Sequence, residues 1–135
     1  NKEAWEALGA AQEEVANQTL TAFANEPSPI VARRVAHVLA SIAQRVGVWD
    51  GLMPTCMGMA QSESEPARAV SFFVLGVLCE FCSEQMDAFA RDLHTAFDAG
   101  MKDGSLEVRV KAVTATVQYV ATLSRDERAP FETLL

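Results

Sequence analysis

The chain has 135 residues, of which 50% are hydrophobic, and a formal net charge of -7 at pH 7. This length and apolar content suffice for one compact hydrophobic core. The acidic balance disfavours a nucleic-acid-binding protein, which needs clustered lysine and arginine against phosphate. Basic proteins are the better electrostatic partners.

The chain has three cysteines, Cys56, Cys79 and Cys82. A secreted disulfide scaffold needs more cysteines and an even number of them. The three cysteines therefore favour a reducing compartment, the nucleus or the cytoplasm. The longest apolar run, residues 69–79, is too short to span a bilayer, so we predict no membrane insertion. Because the chain starts at Asn1 without a methionine and stops in "APFETLL", where a new apolar pattern begins, we interpret it as a piece of a longer polypeptide.

Apolar residues recur at helical spacing along nearly the whole chain, and no segment alternates with a period of two, which predicts an all-α fold. The first stripe runs from Trp5 to Phe23 and predicts one helix. Ser28 is a good N-cap for a second helix, which accepts Pro29 in its first turn and ends at Gly47. We expect its inward face to consist of Val31, Val35, Val38, Ile42 and Val46.

The next helix pair is shorter. Its first helix, "WDGLMPTCMGMAQ", contains Pro54, which is costly inside a helix and predicts a kink. The stretch "SESEP" then caps the second helix at either Ser62 or Ser64, and this helix runs to about Cys82.

A third helix pair begins at Ser83 and turns at "KDGS". Its second helix is predicted from Ser105 to about Leu123. The segment "SRDE" at 124–127 offers one more capping box. The apolar side of the first helix of this pair is predicted to contain Met86, Phe89, Leu93, Phe97 and Met101.

The second helices of the three pairs resemble one another, as "ARRVAHVLASIA", "ARAVSFFVLGVL" and "VRVKAVTATVQY". Their shared arginines, Arg33, Arg68 and Arg109, are 35 and 41 residues apart. HEAT and armadillo arrays have a period of roughly 40 residues, whereas a tetratricopeptide array keeps about 34 more strictly. We therefore predict an α-α superhelix, a HEAT or armadillo-like solenoid of antiparallel helix pairs, with repeats at 3–47, 48–82 and 83–123 and a further one starting at 124–135.

An aspartate and an arginine six residues apart stand at Asp103 and Arg109. HEAT repeats place such a pair in the turn and the inner helix, where neighbouring repeats can form a ladder of ion pairs. Only the third repeat has both residues, because the acidic position is Pro27 in the first repeat and Ser62 in the second. The ladder is therefore in doubt in the first two repeats.

The link between the first two repeats has the form W-x-x-L-(L/M)-P, supplied by Trp49, Leu52, Met53 and Pro54. With this link and "ARAVSFFVLGVLCEF", the chain resembles the importin-beta superfamily of HEAT-repeat karyopherins, and within it the N-terminal third of the karyopherin beta-3 branch that includes importin-5. The resemblance implies a nuclear transport receptor of cytoplasm and nucleus. It implies basic cargo, Ran GTPase and phenylalanine-glycine nucleoporins as partners. It assigns no contact residues, because no motif marks them.

The C-x-x-C formed by Cys79 and Cys82 is typical of redox centres or of half a zinc site. A redox thiol needs a helix N-terminus, but this pair lies near a helix C-terminus among glutamates, which disfavours a thiolate. For zinc, only Cys56, His37 and His94 remain, scattered singly. We predict burial of the pair against a neighbouring helix, with no metal and no cofactor.

Other side chains allow both a binding and a structural interpretation. The basic group on the first inner helix could contact an acidic partner such as a small GTPase, or could be a solvated face. The acidic pair Glu63 and Glu65 could attract basic cargo or could serve the helix N-terminus. The methionines are predicted to belong to the core rather than to an adaptable surface, and the adjacent phenylalanines to point to different sides of one helix. The basic group consists of Arg33, Arg34, His37 and Arg45. The methionines are Met53, Met57 and Met59, and the adjacent phenylalanines are Phe72 and Phe73.

No motif of a hydrolase, a zinc protease or a phosphate-binding loop occurs. We therefore predict a binding protein, not an enzyme, with no catalytic, cofactor or metal residues. The alternatives left open are a HEAT-repeat scaffold or regulatory subunit of another multiprotein complex and, more remotely, a helical enzyme. A cut solenoid also exposes apolar faces at its ends, through which two copies could pair.

Overall fold

The computed structural model describes residues 2–135, and all of their regular structure is helical. Ser83–Phe89 forms a 3-10 helix, and a short 3-10 turn at Gly9–Ala11 joins the first two α-helices. The α-helices are α1 (Lys2–Ala7), α2 (Gln12–Ala24), α3 (Pro29–Val46), α4 (Leu52–Ala60), α5 (Glu65–Phe81), α6 (Ala90–Met101), α7 (Leu106–Val120) and α8 (Arg125–Glu132).

The helices form two layers. The inner helices α3, α5 and α7 pack side by side with α5 in the middle, and the outer helices α2, α4 and α6 each pack on the inner helix that follows them. Helix α8 packs on α7, and its place as the start of a further repeat stays a prediction. This arrangement confirms the predicted solenoid of helix pairs.

Side-chain caps start the inner helices where the sequence predicts them. The Ser28, Ser64 and Ser105 hydroxyls accept hydrogen bonds from the backbone N–H three residues later. Ser64 is therefore the cap of α5, while the Ser62 hydroxyl accepts from the Ser64 N–H. Ser124 forms the predicted capping box with Glu127. These caps fix where each inner helix begins.

The prediction of one continuous helix from Trp5 to Phe23 was wrong. Gly9 has a positive φ of 51°, which interrupts the helix after α1. Leu8 is exposed as a result, and burial on α2 begins only at Ala16.

The predicted inward face of α3 was also largely wrong. Val31 and Val38 are exposed, Val35 and Val46 are half-buried, and only Ile42 is buried. The buried stripe consists mainly of alanines, because α3 lies between α2 and α5 and small side chains let these backbones approach closely. It comprises Ala32, Ala36, Leu39, Ala40 and Ala43.

Two further expectations about the outer helices needed correction. Pro54 lies in the first turn of α4, where a missing N–H leaves no bond unmade, so the proline does not require a kink. The outer helix of the third repeat is not uniform, because its first seven residues are a 3-10 helix before α6 begins. Within α6, Leu93 and Phe97 are fully buried as predicted.

Helix α7 exposes an apolar stripe. Its residues Val110, Val113 and Val117 are 42–53% exposed. The matching positions of α5 are buried against the third repeat and are Ala69, Phe72 and Gly76. The pairing of two copies through such a face stays a prediction.

Within residues 2–135, no single helix has the length and apolar content to cross a membrane. The helices Glu65–Phe81 and Ser83–Met101 satisfy those two criteria only when taken together, and they meet at a bend of 115°.

Candidate protein-binding surfaces

A cluster of aromatic rings joins the third repeat to α8. The Tyr119 and Phe131 ring centroids are 5.0 Å apart in an edge-to-face arrangement, and Phe97 lies 6.0 Å from Tyr119. His94 stands edge-on to Phe131 at 5.3 Å. Such geometry adds to the energy of burial, so the cluster rigidly positions α8 against α6 and α7.

A groove runs over this cluster between α6 and α8, and we call it the outer groove. Its volume is about 680 Å³, within the range of ordinary ligand clefts. The floor is apolar and the rim carries charges of both signs. The lining residues are Asp87, Ala90, Arg91, His94, Thr95, Tyr119, Leu123, Glu127, Pro130 and Phe131.

The polar groups of the outer groove are held in fixed positions. The Nε2 of His94 lies 3.0 Å from the Pro130 carbonyl oxygen, a contact that places a proton on this nitrogen. Burial raises the pKa of Tyr119, with smaller contributions from the nearby negative groups. The phenol therefore remains neutral, and the floor of the groove can accept an apolar or aromatic side chain.

A second surface, which we call the inner strip, crosses the inner helices and consists of Arg34, His37, Phe73 and Lys111. The half-buried ring of Phe73 contacts the His37 ring edge-on at 5.8 Å, and the Lys111 Nζ lies 5.5 Å from its centroid. Arg34 is exposed one helical turn from His37. The strip is a basic surface with an aromatic centre in an acidic chain.

The other arginines of the predicted basic group have partners. Arg33 Nη2 donates to Glu107 Oε1 at 2.9 Å, although its buried Nε finds no partner among residues 2–135. Arg45 Nη1 donates to the Ser41 carbonyl. Of the predicted group, only Arg34 and His37 therefore belong to the inner strip.

Glu65 and the methionines take structural places, whereas Glu63 is exposed and, among residues 2–135, is bonded only through its backbone. Glu65 Oε1 accepts a hydrogen bond from the Ser105 hydroxyl at 2.8 Å, and the Glu63 carbonyl accepts one from Arg68. Met53 is buried, and the half-buried Met57 and Met59 pack against the core. The prediction that the methionines belong to the core is confirmed.

One rung of the ion-pair ladder is present. Arg68 donates from Nε and Nη2 to the Asp103 carboxylate at 2.8 and 3.1 Å, which joins the second repeat to the third. Arg68 and Arg109 each also donate to two carbonyls of the turn before their own helix. Arg33 has no such acid in the next repeat, because Ser62 occupies that position. The doubt about the ladder therefore holds for Arg33 of the first repeat and was wrong for Arg68 of the second, which has its acid in the third repeat.

We expect Asp103→Asn to destabilise the chain near neutral pH. Hydrogen bonds from Arg68 and the Ser105 N–H hold the pKa of Asp103 below its ordinary value of 3.8. A lowered folded-state pKa means that the stabilisation is fully present above the unfolded-state pKa and is lost as pH falls through the folded-state value. Urea unfolding should therefore show a deficit for the variant at pH 7 that shrinks below about pH 4.

The matched control for this prediction is Asp98→Asn. Asp98 lies in the last turn of α6 and pairs with Lys102, four residues later, at a solvent-accessible position. Exposed pairs of this type contribute little, so its unfolding midpoint should stay close to wild type. Equal deficits for the two variants would contradict a special role for the Arg68–Asp103 pair.

The cysteines are buried, as predicted. Cys79 lies against Met86 with a sulfur–sulfur distance of 3.1 Å, and the Cys82 thiol donates to the Ala40 carbonyl of α3. Cys56 is also fully buried. Residues 2–135 contain no group of three histidine, cysteine or acidic side chains placed to hold a metal ion.

We expect all three thiols to resist alkylation in the folded chain. Burial raises the pKa of Cys56 and Cys79 to about 12 and that of Cys82 to about 11, so almost no thiolate is present at pH 8. Mass spectrometry after treatment with a maleimide should show slow labelling without denaturant and complete labelling in urea. Rapid labelling of Cys82 in the folded chain would contradict the proposed packing of α5 on α3.

Stacked antiparallel helix pairs with paired outer and inner layers define a helical-repeat solenoid, a class of proteins that works through extended binding surfaces. A family described as "IPO5-like, TPR repeats" matches residues 27–135. The chain therefore belongs to this family of importin-5-like repeat proteins. The family description names tetratricopeptide repeats, which keep a strict period of about 34 residues. The inner-helix arginines of this chain are instead 35 and 41 residues apart. No curated protein matches the chain.

Proposed function

We propose that this chain is part of a nuclear transport receptor that moves between cytoplasm and nucleus. Its partners would be phenylalanine-glycine nucleoporins, Ran GTPase and basic cargo, and its work would be binding without a catalytic step. Membership of the importin-5-like family supports this proposal.

The observation that carries the proposal is the outer groove. It lies between two successive outer helices and has Phe131 and Tyr119 on its floor. A phenylalanine side chain from a phenylalanine-glycine repeat fits such a site, because aromatic rings pair edge-to-face and the small glycine allows a close approach of the peptide backbone.

The inner strip supports the binding of Ran. The half-buried Lys111 lies over the Phe73 ring, and the exposed Arg34 lies one helical turn from His37. Cations next to an aromatic ring match an acidic protein surface with an apolar contact. Basic cargo would then bind elsewhere on this chain of net charge -7.

The nucleoporin proposal is tested by surface plasmon resonance with an immobilised phenylalanine-glycine repeat segment. Thr95→Trp should weaken binding about tenfold or more, because the indole fills the mouth of the outer groove from an exposed position. The control is Thr114→Trp, since Thr114 is also exposed and bonds the carbonyl four residues before it, but lies on α7 outside the groove.

The Ran proposal is tested with the GTP-bound form of the GTPase. The double variant Arg34→Glu and Lys111→Glu should weaken binding about tenfold or more, because it reverses two charges of the inner strip. The control is Lys102→Glu with Arg125→Glu, which changes the net charge equally on other surfaces. Absence of binding to both partners would contradict the transport proposal and favour a scaffold of another complex.

A further inference from the structure

A third cleft, which we call the edge cleft, lies where the inner helices end. It is formed by the connection between the first two repeats, residues 47–50, by Cys82 and the 3-10 helix Ser83–Phe89, and by the last turns of α3 and α5. Its volume is about 620 Å³. It shares no lining residue with the outer groove, so its occupant can be tested separately.

The floor of the edge cleft is built by two glutamines that cross between repeats. The Gln44 side chain donates to the Phe81 carbonyl at 2.9 Å, and Gln85 donates in the opposite direction to the carbonyls of Gly47 and Ala43. One carbonyl in the last turn of each helix, Ala43 of α3 and Phe81 of α5, is thereby bonded by an uncharged side chain. This reciprocal bonding fixes the distance between the ends of α3 and α5, so the cleft is formed before any partner arrives.

The electrostatics of the edge cleft favour a cation. Helices α3 and α5 both end here, and helix C-termini carry partial negative charge. The exposed side chains of Asp50 and Glu84 line the cleft, and none of its lining residues within 2–135 is a lysine or an arginine. The neighbouring Arg45 lines an adjoining cleft, which shares Val48, Trp49 and Asp50 with the edge cleft, and its guanidinium donates to the Ser41 carbonyl.

The walls of the same cleft are apolar and accessible. Val48 is 84% exposed and Phe81 is 49% exposed, while Phe89 is half-buried and packs against the core. Solvent exposure of large apolar side chains next to carboxylates is the pattern expected where a partner covers both.

We propose that the edge cleft binds an extended segment of a partner protein in which lysine or arginine alternates with large apolar residues. The cations lie between Asp50 and Glu84 and against the face of Phe81, and the apolar side chains pack on Val48 and Phe89. This inference gives the proposed basic cargo a binding place and a sequence pattern. It rests on the proposed function for one point, namely that the occupant is a segment of a protein.

The probe is a fluorescently labelled, blocked hexapeptide of alternating leucine and lysine, with fluorescence anisotropy as the measurement. The double variant Asp50→Asn and Glu84→Gln should weaken binding about tenfold, and Val48→Ser should weaken it without a change in charge. The matched control is Glu3→Gln with Glu132→Gln, which removes the same charge at exposed positions far along the chain and should change affinity less than about twofold.

Failure of this inference can be distinguished from failure of the transport proposal. Thr95→Trp should leave hexapeptide binding unchanged, and the Asp50 and Glu84 variant should leave binding of phenylalanine-glycine repeats unchanged. The inference is overturned if the wild-type chain does not bind the hexapeptide, if the control pair weakens binding as much as the cleft variant, or if a peptide with serine in place of leucine binds equally well. Circular dichroism of each variant confirms that the helices are intact.

Discussion

Phe97→Ala should lower the free energy of unfolding by about 3–5 kcal/mol, the largest effect we expect from a single substitution in this chain. Phe97 is fully buried on α6 and contacts the rings of Phe72, Tyr119 and Phe131. Its removal leaves a cavity where the second repeat, the third repeat and α8 meet, and this region can collapse only by moving helices.

Urea unfolding followed by circular dichroism measures this effect. The control is Phe81→Ala, which removes the same side chain from a half-exposed position at the end of α5 and should cost much less. If Phe97→Ala lowers the free energy of unfolding no more than Phe81→Ala does, the aromatic cluster does not hold α8 against α6 and α7.

Gly100→Ala should be the second most damaging change, with a cost of about 1–3 kcal/mol. A Cβ atom at Gly100 would lie 2.7 Å from the Ala112 Cβ of α7 and would also collide with the ring of Phe72. Both neighbours are fully buried, so neither has room to move. The glycine therefore allows α6 to approach α5 and α7 closely.

The control for Gly100→Ala is Gly58→Ala on α4, where a Cβ would meet no atom within 4 Å. Alanine is the better helix former, so this variant should be stabilised by about 0.4–1 kcal/mol. Thermal unfolding should thus shift in opposite directions for the same chemical change at two helical glycines. Similar shifts of the same sign would contradict the close packing of α6 on the inner layer.

The sequence was sufficient to predict the helix pairs and where the inner helices begin, because capping depends on residues only a few positions apart. Ser28 and Ser105 illustrate this, since the hydroxyl and the N–H that it caps lie three residues apart. The repeated arginines gave the order of the repeats, and for Arg68 and Arg109 the reason is related, because each bonds the turn directly before its own helix.

What could not be predicted depends on residues far apart in the chain. Val38 and Leu39 are equally apolar, and only the position of α2 and α5 decides that Leu39 is buried and Val38 exposed. Arg68 pairs with Asp103 of the next repeat, 35 residues away, rather than with an acid of its own turn. The outer groove was missed because its two sides come from α6 and α8, whose residues share no motif.

The most direct test of the proposed receptor role is an NMR titration of the isotope-labelled chain with a phenylalanine-glycine repeat peptide. We predict saturable shifts of the backbone amides around the outer groove, at His94, Thr95, Leu123 and Phe131, with little change on α2. The absence of shifts at saturating peptide, or shifts spread over α2 and α3 instead, would contradict the proposal that this groove receives nucleoporin phenylalanines.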